Sequence, residues 1–171
     1  MTRPAVTFFD MWPWTPNKRR LVGAILTDLA PNDEAELLGL HPELERPIGL
    51  LDHIGAVMTR GQFLEGFIAA ENAERAVAVG MAYRGAIPNV ASLALFGRAN
   101  ATRAMPAVYA ELARRRACFG EAHNVRIAQV PVLTTYRAPM RRLKRMGGEA
   151  AFHYGRIGPR DLPYTHMLWR F

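Results

Sequence analysis

At 171 residues, 50% of them apolar and 22% charged, the chain is sized for one globular domain with a real core, and it lacks the long apolar run of a membrane span. Its single cysteine, Cys118, excludes an intramolecular disulfide framework and a cysteine zinc site, and suits a reducing cytoplasm. The net charge of +7 is unevenly placed: Arg98 to Arg145 holds 11 Lys/Arg against Glu111 and Glu121, so the remainder sums to −2. Such a segment points to an anionic partner (nucleic acid, a phosphorylated cofactor or an acidic protein surface) or to arginine-rich solvated helix faces.

The first 20 residues stand apart. Two Phe, two Trp and two Pro crowd "FFDMWPWTP" without a helical period, and the prolines favour extended backbone. Large aromatics need an apolar surface to cover them. Residues 1–20 are read as an extended arm that docks on its own domain or on another subunit, with residues 21–171 as the domain. The arm's order, apolar before basic, is the reverse of a secretory leader.

"LVGAILTDLAP" predicts a first strand ending near Pro31. "PNDEAELLGL" predicts a helix capped by Asn32 or Asp33, with acids in its first turn. A second helix starts at Pro47, with Ile48, Leu51, Ile54, Val57 and Met58 on one face. Two strands, about 62–70 and 75–84, flank the turn "ENAE", and "NVASLALFG" gives a third strand ending at Gly97. The longest helix covers 104–119: Met105, Val108, Tyr109, Leu112 and Phe119 form its apolar stripe, Pro106 lies in its first turn and Gly120 ends it. "NVRIAQVPV" reads as a buried parallel or splayed strand. "TTYRAPMRRLKRMGGEAAF" encodes a loop, a basic amphipathic helix with Met140, Leu143 and Met146 inward, a glycine stop and a strand that closes against "PYTHMLWRF".

This order resembles the GNAT superfamily of acyl-CoA-dependent N-acyltransferases over residues 21–171. The resemblance implies an α/β (α+β) fold, a central mixed, mostly antiparallel sheet flanked by helices. "LAPNDEAELLGL", "LALFGR", "RRLKRMGG" and the tail "HYGRIGPRDLPYTHMLWRF" look most like a phage-encoded branch, the GNAT-like internal virion or structural proteins. In the family a glycine-rich loop cradles the cofactor pyrophosphate. The counterpart here, "LFGRANATRAMP", has only Gly97, leaving Arg98, Asn100 and Thr102 and a helix N-terminus to meet an anion. Aligning Gly147 with the family's glycine puts Leu143 where many members have the tyrosine that protonates the CoA thiolate, Tyr136 on the usual Asn, Pro139 on a small residue and Gly148 on a Phe.

Catalytic candidates are therefore Tyr136 as a substitute acid and Glu65 as a base, ahead of Glu71, His153 and His166. His41, His53 and His123 are scattered, no His-x-x-x-His metal motif exists, and no nucleophile elbow or phosphate-binding P-loop is present. Cys118, beside Arg114 to Arg116, has no recognisable base and is read as having no catalytic role. Candidate partner-binding residues are Phe8, Phe9, Trp12 and Trp14 of the arm and the cations Arg114, Arg115, Arg116, Arg141, Arg142, Lys144 and Arg145. The preferred expectation is a catalytically degenerate GNAT-like protein without cofactor, made in the cytoplasm. It would be a phage virion-associated structural module that binds virion or assembly proteins or copies of itself. The alternative is an active acetyl-CoA-dependent N-acetyltransferase with a divergent pyrophosphate loop. A third reading, non-specific nucleic-acid contact, rests on the arginines alone.

Overall fold

The computed structural model describes residues 5–157 and 161–171. The elements are β1 (Thr7–Asp10), α1 (Pro16–Leu26), α2 (Pro31–Leu40), a short 3-10 turn at Pro47–Gly49, α3 (Leu50–Thr59), β2 (Phe63–Ala70), β3 (Ala76–Arg84), β4 (Val90–Gly97), a second 3-10 turn at Ala101–Arg103, α4 (Met105–His123), β5 (Ile127–Leu133), α5 (Arg137–Arg145), β6 (Glu149–Ile157) and β7 (Leu162–Arg170). They form one seven-stranded sheet in the order β1-β2-β3-β4-β5-β7-β6, antiparallel at each junction except β4–β5. The mixed, mostly antiparallel sheet flanked by helices is the expected fold class. No helix is long and apolar enough among the described residues to cross a membrane.

Two helical layers cover the sheet. On one face, Val22, Ile25 and Leu26 of α1, Leu50 and Ile54 of α3 and Leu37 of α2 pack on Ile68, Val79 and Phe96. On the other, α4 and α5 cover Phe67, Ala78, Ala82, Ala128 and Val132. The strand predicted at the start of the domain is instead α1, and the helix begins before residue 20. Thr15 caps it by accepting the Lys18 N–H at 3.3 Å, with Pro16 in the first turn. The apolar run "LVGAIL" has a strand-like composition. Its buried positions Leu21, Val22, Ile25 and Leu26 repeat at helical spacing, and Gly23 lets α3 approach, with Leu51 Cδ1 at 3.4 Å from where a Cβ would stand.

The aromatic segment lies on its own sheet. Thr7–Asp10 pairs with Phe67–Ala70, Phe8 packs edge-on to Phe67 with centroids 5.6 Å apart, and Met11 is fully buried. Trp14 packs on the α1–α3 core, whereas Trp12 is 61% exposed and Phe9 37%. Two smaller differences have clear causes. The cap of α2 is Ala30 and not Asn32 or Asp33, because Asp33 turns inward. The longest helix runs past Gly120 to His123 and ends on Asn124 in the left-handed conformation (φ 51°). Gly120 serves packing: a Cβ there would collide with Phe171. The glycine stop after α5 is where the sequence put it, with Gly147 at φ 81° and Gly148 N–H bonded to Leu143 O at 2.9 Å.

Candidate functional site

The site begins where the one parallel pair comes apart. β4 and β5 pair only at Val90–Ser92 with Ile127–Gln129, and the strands then diverge. The sequence supplies the reason. In a parallel ladder the next bond would come from the backbone of residue 131, and Pro131 has no N–H. Gly97 N–H and C=O both point away from β3, bonding to Asp33 and to Ala30 N–H. By strand alternation, both polar groups of Leu95 and the Leu93 carbonyl face the opening, while the Leu93 N–H makes the last rung to β5.

A cavity of about 300 Å³ fills this fork on the α4–α5 face. Its floor is Gly80, Ala82 and Leu93 on one strand pair and Ala128 and Val130 on β5; α4 and α5 wall the sides, and α2 lies across the open end. Asp33 and Glu36, one turn apart on α2, straddle the fork. Asp33 Oδ2 accepts the Gly97 N–H at 2.7 Å, at the end of β4, and Glu36 Oε2 accepts the Leu133 N–H at 2.9 Å, at the end of β5. Tyr164, fully buried, donates from its hydroxyl to the Glu36 carbonyl at 3.2 Å and fixes α2 to β7.

Burial governs the protonation of this cluster. It pushes Asp33 up to about 6, against the opposing bond from Gly97 N–H. It pushes Glu36 up to about 8, opposed by Leu133 N–H and reinforced by the Asp33 charge. Tyr109, on α4, is raised to about 12 by burial, opposed by the Arg142 guanidinium and reinforced by Tyr136, Asp33 and Glu36. Tyr136 is raised by the same carboxylates after burial, while a hydrogen bond with the Asn32 side chain opposes. Arg142 lies over the Tyr109 ring at 5.0 Å. At neutral pH the cluster thus holds one ionised carboxylate, one mostly neutral carboxyl and two protonated phenols, a pairing suited to proton exchange.

Of the residues singled out from sequence, Tyr136 precedes α5 and lines the cavity, as does Glu65, whose Oε2 lies 3.2 Å from His123 Nε2. An irregularity between Phe63 and Glu65 turns Glu65 to the α4 face, opposite Ala82. Arg98 and Thr102 reach the cavity rim, but Arg98 is engaged by Asp28 at 2.8 Å, and Asn100 is exposed. Leu143 is core, as its stripe predicted. His153 bonds Thr165 and His166 packs against Tyr154, both outside the cavity, and Glu71 pairs with Arg75. Arg114 and Arg115 are both held by Glu111, Arg115 also by Asp10, Arg116 by Met146 O and Arg142 by Tyr109. Arg141, Lys144 and Arg145 are exposed on α5. Sequence reasoning missed Asp33, Glu36 and Tyr109. The legible signal was spacing: Asp33, Glu36 and Leu37 share one face of α2, so two acids sit beside the buried stripe.

An acyl-CoA is the cofactor-like substrate that such forks accept in the family the sequence resembles, and this fork passes a test for its pantetheine arm. The free edge, the Leu93 carbonyl and both polar groups of Leu95, matches an extended chain of amides. At the phosphate end, Thr102 and the α4 N-terminus offer polar contacts without a glycine cradle.

No family model matches the sequence, and no curated protein matches it. Solved structures do. A proposed acetyltransferase from Acinetobacter baylyi superposes with a TM-score of 0.73 at 13% identity, covering 98% of this chain and 93% of that one. The spermidine N-acetyltransferase of Vibrio cholerae, solved with CoA and spermine, gives 0.68 at 10% identity over 96% and 95%. A proposed GNAT-family acetyltransferase from Desulfovibrio desulfuricans gives 0.62 at 15% identity over 97% and 99%. At these identities the likeness establishes the fold: the chain has the GNAT fold.

Proposed function

We propose that the chain is an acyl-CoA-dependent N-acyltransferase, the alternative named from sequence, with its proton-transfer groups on α2 and α4. The carrying observation is that Asp33, Glu36, Tyr109 and Tyr136 converge on one cavity in the β4–β5 fork. The acetyltransferases among the superposed structures support this order of preference over the degenerate virion module.

The bound acyl-CoA would supply the thioester whose C–S bond breaks as the amine's C–N bond forms. The Leu93 carbonyl and the free N–H and C=O of Leu95 would hold the pantetheine amides, and Thr102 and the α4 N-terminus the phosphates. Asp33 keeps Oδ1 available while Oδ2 holds Gly97 N–H. It takes the proton that the attacking amine loses, and a carboxylate near 6 is matched to that task at neutral pH. The Tyr109 hydroxyl, protonated at neutral pH, donates the proton that the departing thiolate sulfur needs. Glu36, mostly neutral, holds Leu133 N–H and keeps the mouth from carrying two adjacent negative charges. Thermal melting of the full chain with CoA and acetyl-CoA, followed by turnover on a panel of amines, tests the reading. A ligand-dependent rise in melting temperature with amide formation is expected; no shift at millimolar ligand overturns it.

One observation favours an interaction role as a second reading. Phe152 and Tyr154 on the edge strand β6 are 58% and 41% exposed, and Trp12 is 61% exposed near the opposite edge. Virion or assembly proteins, or a second copy, would find apolar anchors there. Light scattering of the full chain against Trp12→Ser with Phe152→Ser distinguishes self-association, and unchanged mass at high concentration removes that form of the idea.

A further inference from the structure

The closed end of the cavity differs from its mouth. There the α4 residues Arg116 and Phe119 meet Met146, which follows α5, and Trp169 and Phe171 at the end of the chain. Arg116 donates from one terminal nitrogen to the Met146 carbonyl, which also receives the Trp169 indole N–H at 3.2 Å. Its Nε is buried and has no hydrogen-bond partner. Among the described residues no carboxylate pairs with Arg116, whereas Arg114 forks onto Glu111 and Arg115 is shared between Glu111 and Asp10. The one carboxylate that lines this part of the cavity, Glu65, is 3.2 Å from His123. A buried guanidinium N–H without an acceptor is costly, and the group that relieves it most is a planar oxyanion that takes two parallel bonds.

The second observation is placement. Arg116 follows Tyr109 by seven residues on the same helix, a rise of about 10 Å toward the closed end. Between them the cavity is bordered by the partly exposed side chains of Leu93, Leu112 and Val130. A thioester held beside Tyr109 therefore has room for its acyl chain to run toward Arg116, with an apolar channel along the way and a cation at its end.

We infer that Arg116 reads a carboxylate on the acyl donor: the closed end takes a short dicarboxylic acyl group, about four or five carbons long, in preference to acetyl or a neutral chain. This inference rests on the acyltransferase reading. The distal carboxylate takes no part in bond making or breaking; the amine–carbonyl bond forms and the C–S bond breaks as before.

Titration calorimetry of the full chain with CoA, butyryl-CoA, succinyl-CoA and glutaryl-CoA tests it without relying on turnover. Butyryl and succinyl differ at the end of the chain, a methyl against a carboxylate. Succinyl-CoA or glutaryl-CoA is expected to bind at least tenfold tighter than butyryl-CoA. In Arg116→Gln, checked for a native melt, that ratio falls to near one; Arg116→Lys, which keeps charge without the fork, lies between. Equal or tighter binding of butyryl-CoA to the wild type overturns the inference while leaving the acyltransferase reading standing. A preference that survives in Arg116→Gln removes Arg116 as its source. Absence of binding by every CoA species, CoA included, overturns both.

Discussion

The two helices that wall the cavity divide its work unequally. α5 holds the position where the resembled family keeps its acid, and there Leu143 sits 8% exposed against Val132, Met167 and Trp169. α4, facing it across the same space, carries Tyr109 within the field of Asp33, Glu36 and Tyr136. The lesson is geometric. A proton donor has to reach the sulfur, and any wall of a shared cavity can supply it, so an apolar residue at one aligned position does not decide whether chemistry is present.

The sharpest way to break this contrast is to remove the two phenols separately. Tyr109→Phe should lower kcat about a hundredfold with little change in melting temperature, since the ring keeps its packing. Tyr136→Phe, whose hydroxyl shares a hydrogen bond with Asn32, should cost less than about tenfold by the same scale. Steady-state kinetics on one amine decide it, and the reverse order would return the acid to the α5 side of the cavity.

Asp33→Asn comes next. Under the proposed reaction, wild-type kcat/KM should climb as pH rises through about 6, because the proposed base, Asp33, is competent only once ionised. In Asp33→Asn the activity should be down by about a hundredfold and that acidic limb should be gone. A limb that persists near 6 in the variant assigns the titration to another group.

The sequence announced α5's contribution and concealed α4's for the same physical reason. Periodicity reports burial, and burial does not distinguish a core side chain from one that lines a cavity within the core. Leu143 and Tyr109 both lay on apolar stripes and both border the cavity, but only Tyr109 brings a titratable group to it. The glycine stop after α5 and the strands from Phe63 to Gly97 were readable from alternation and turn chemistry. Asp33 read as a helix cap and Glu36 as an ordinary acid near the helix start because their partners, Gly97 N–H and Leu133 N–H, lie far along the chain. The first helix was hidden by its β-like composition until the Thr15 cap is weighed with it.

The apolar half of the comparison has its own test. Leu143→Ala removes a buried side chain from a packed cluster and should destabilise the fold by about 2–4 kcal/mol, read by chemical denaturation. A loss below about 1 kcal/mol would mean that the cavity already relaxes into this site, and that Leu143 is a wall and not a support.

Glu36 gives the smallest effect and tests the mouth itself. Its folded-state value, about 8, lies above the ordinary 4.5, so the folded state holds a proton that the unfolded state has released across that window. Stability therefore falls as pH rises from about 4.5 toward 8 and levels off above it. Glu36→Gln keeps an oxygen for Leu133 N–H and cannot ionise, so its advantage over wild type should be absent near pH 4 and grow with pH. By pH 8 it should reach on the order of 2 kcal/mol once screening by solvent in the cavity is allowed for. Melting curves of both proteins across this range decide the matter. Parallel curves would show that Glu36 is ionised and well solvated in the folded protein, and two adjacent charges, not one, would then guard the mouth of the fork.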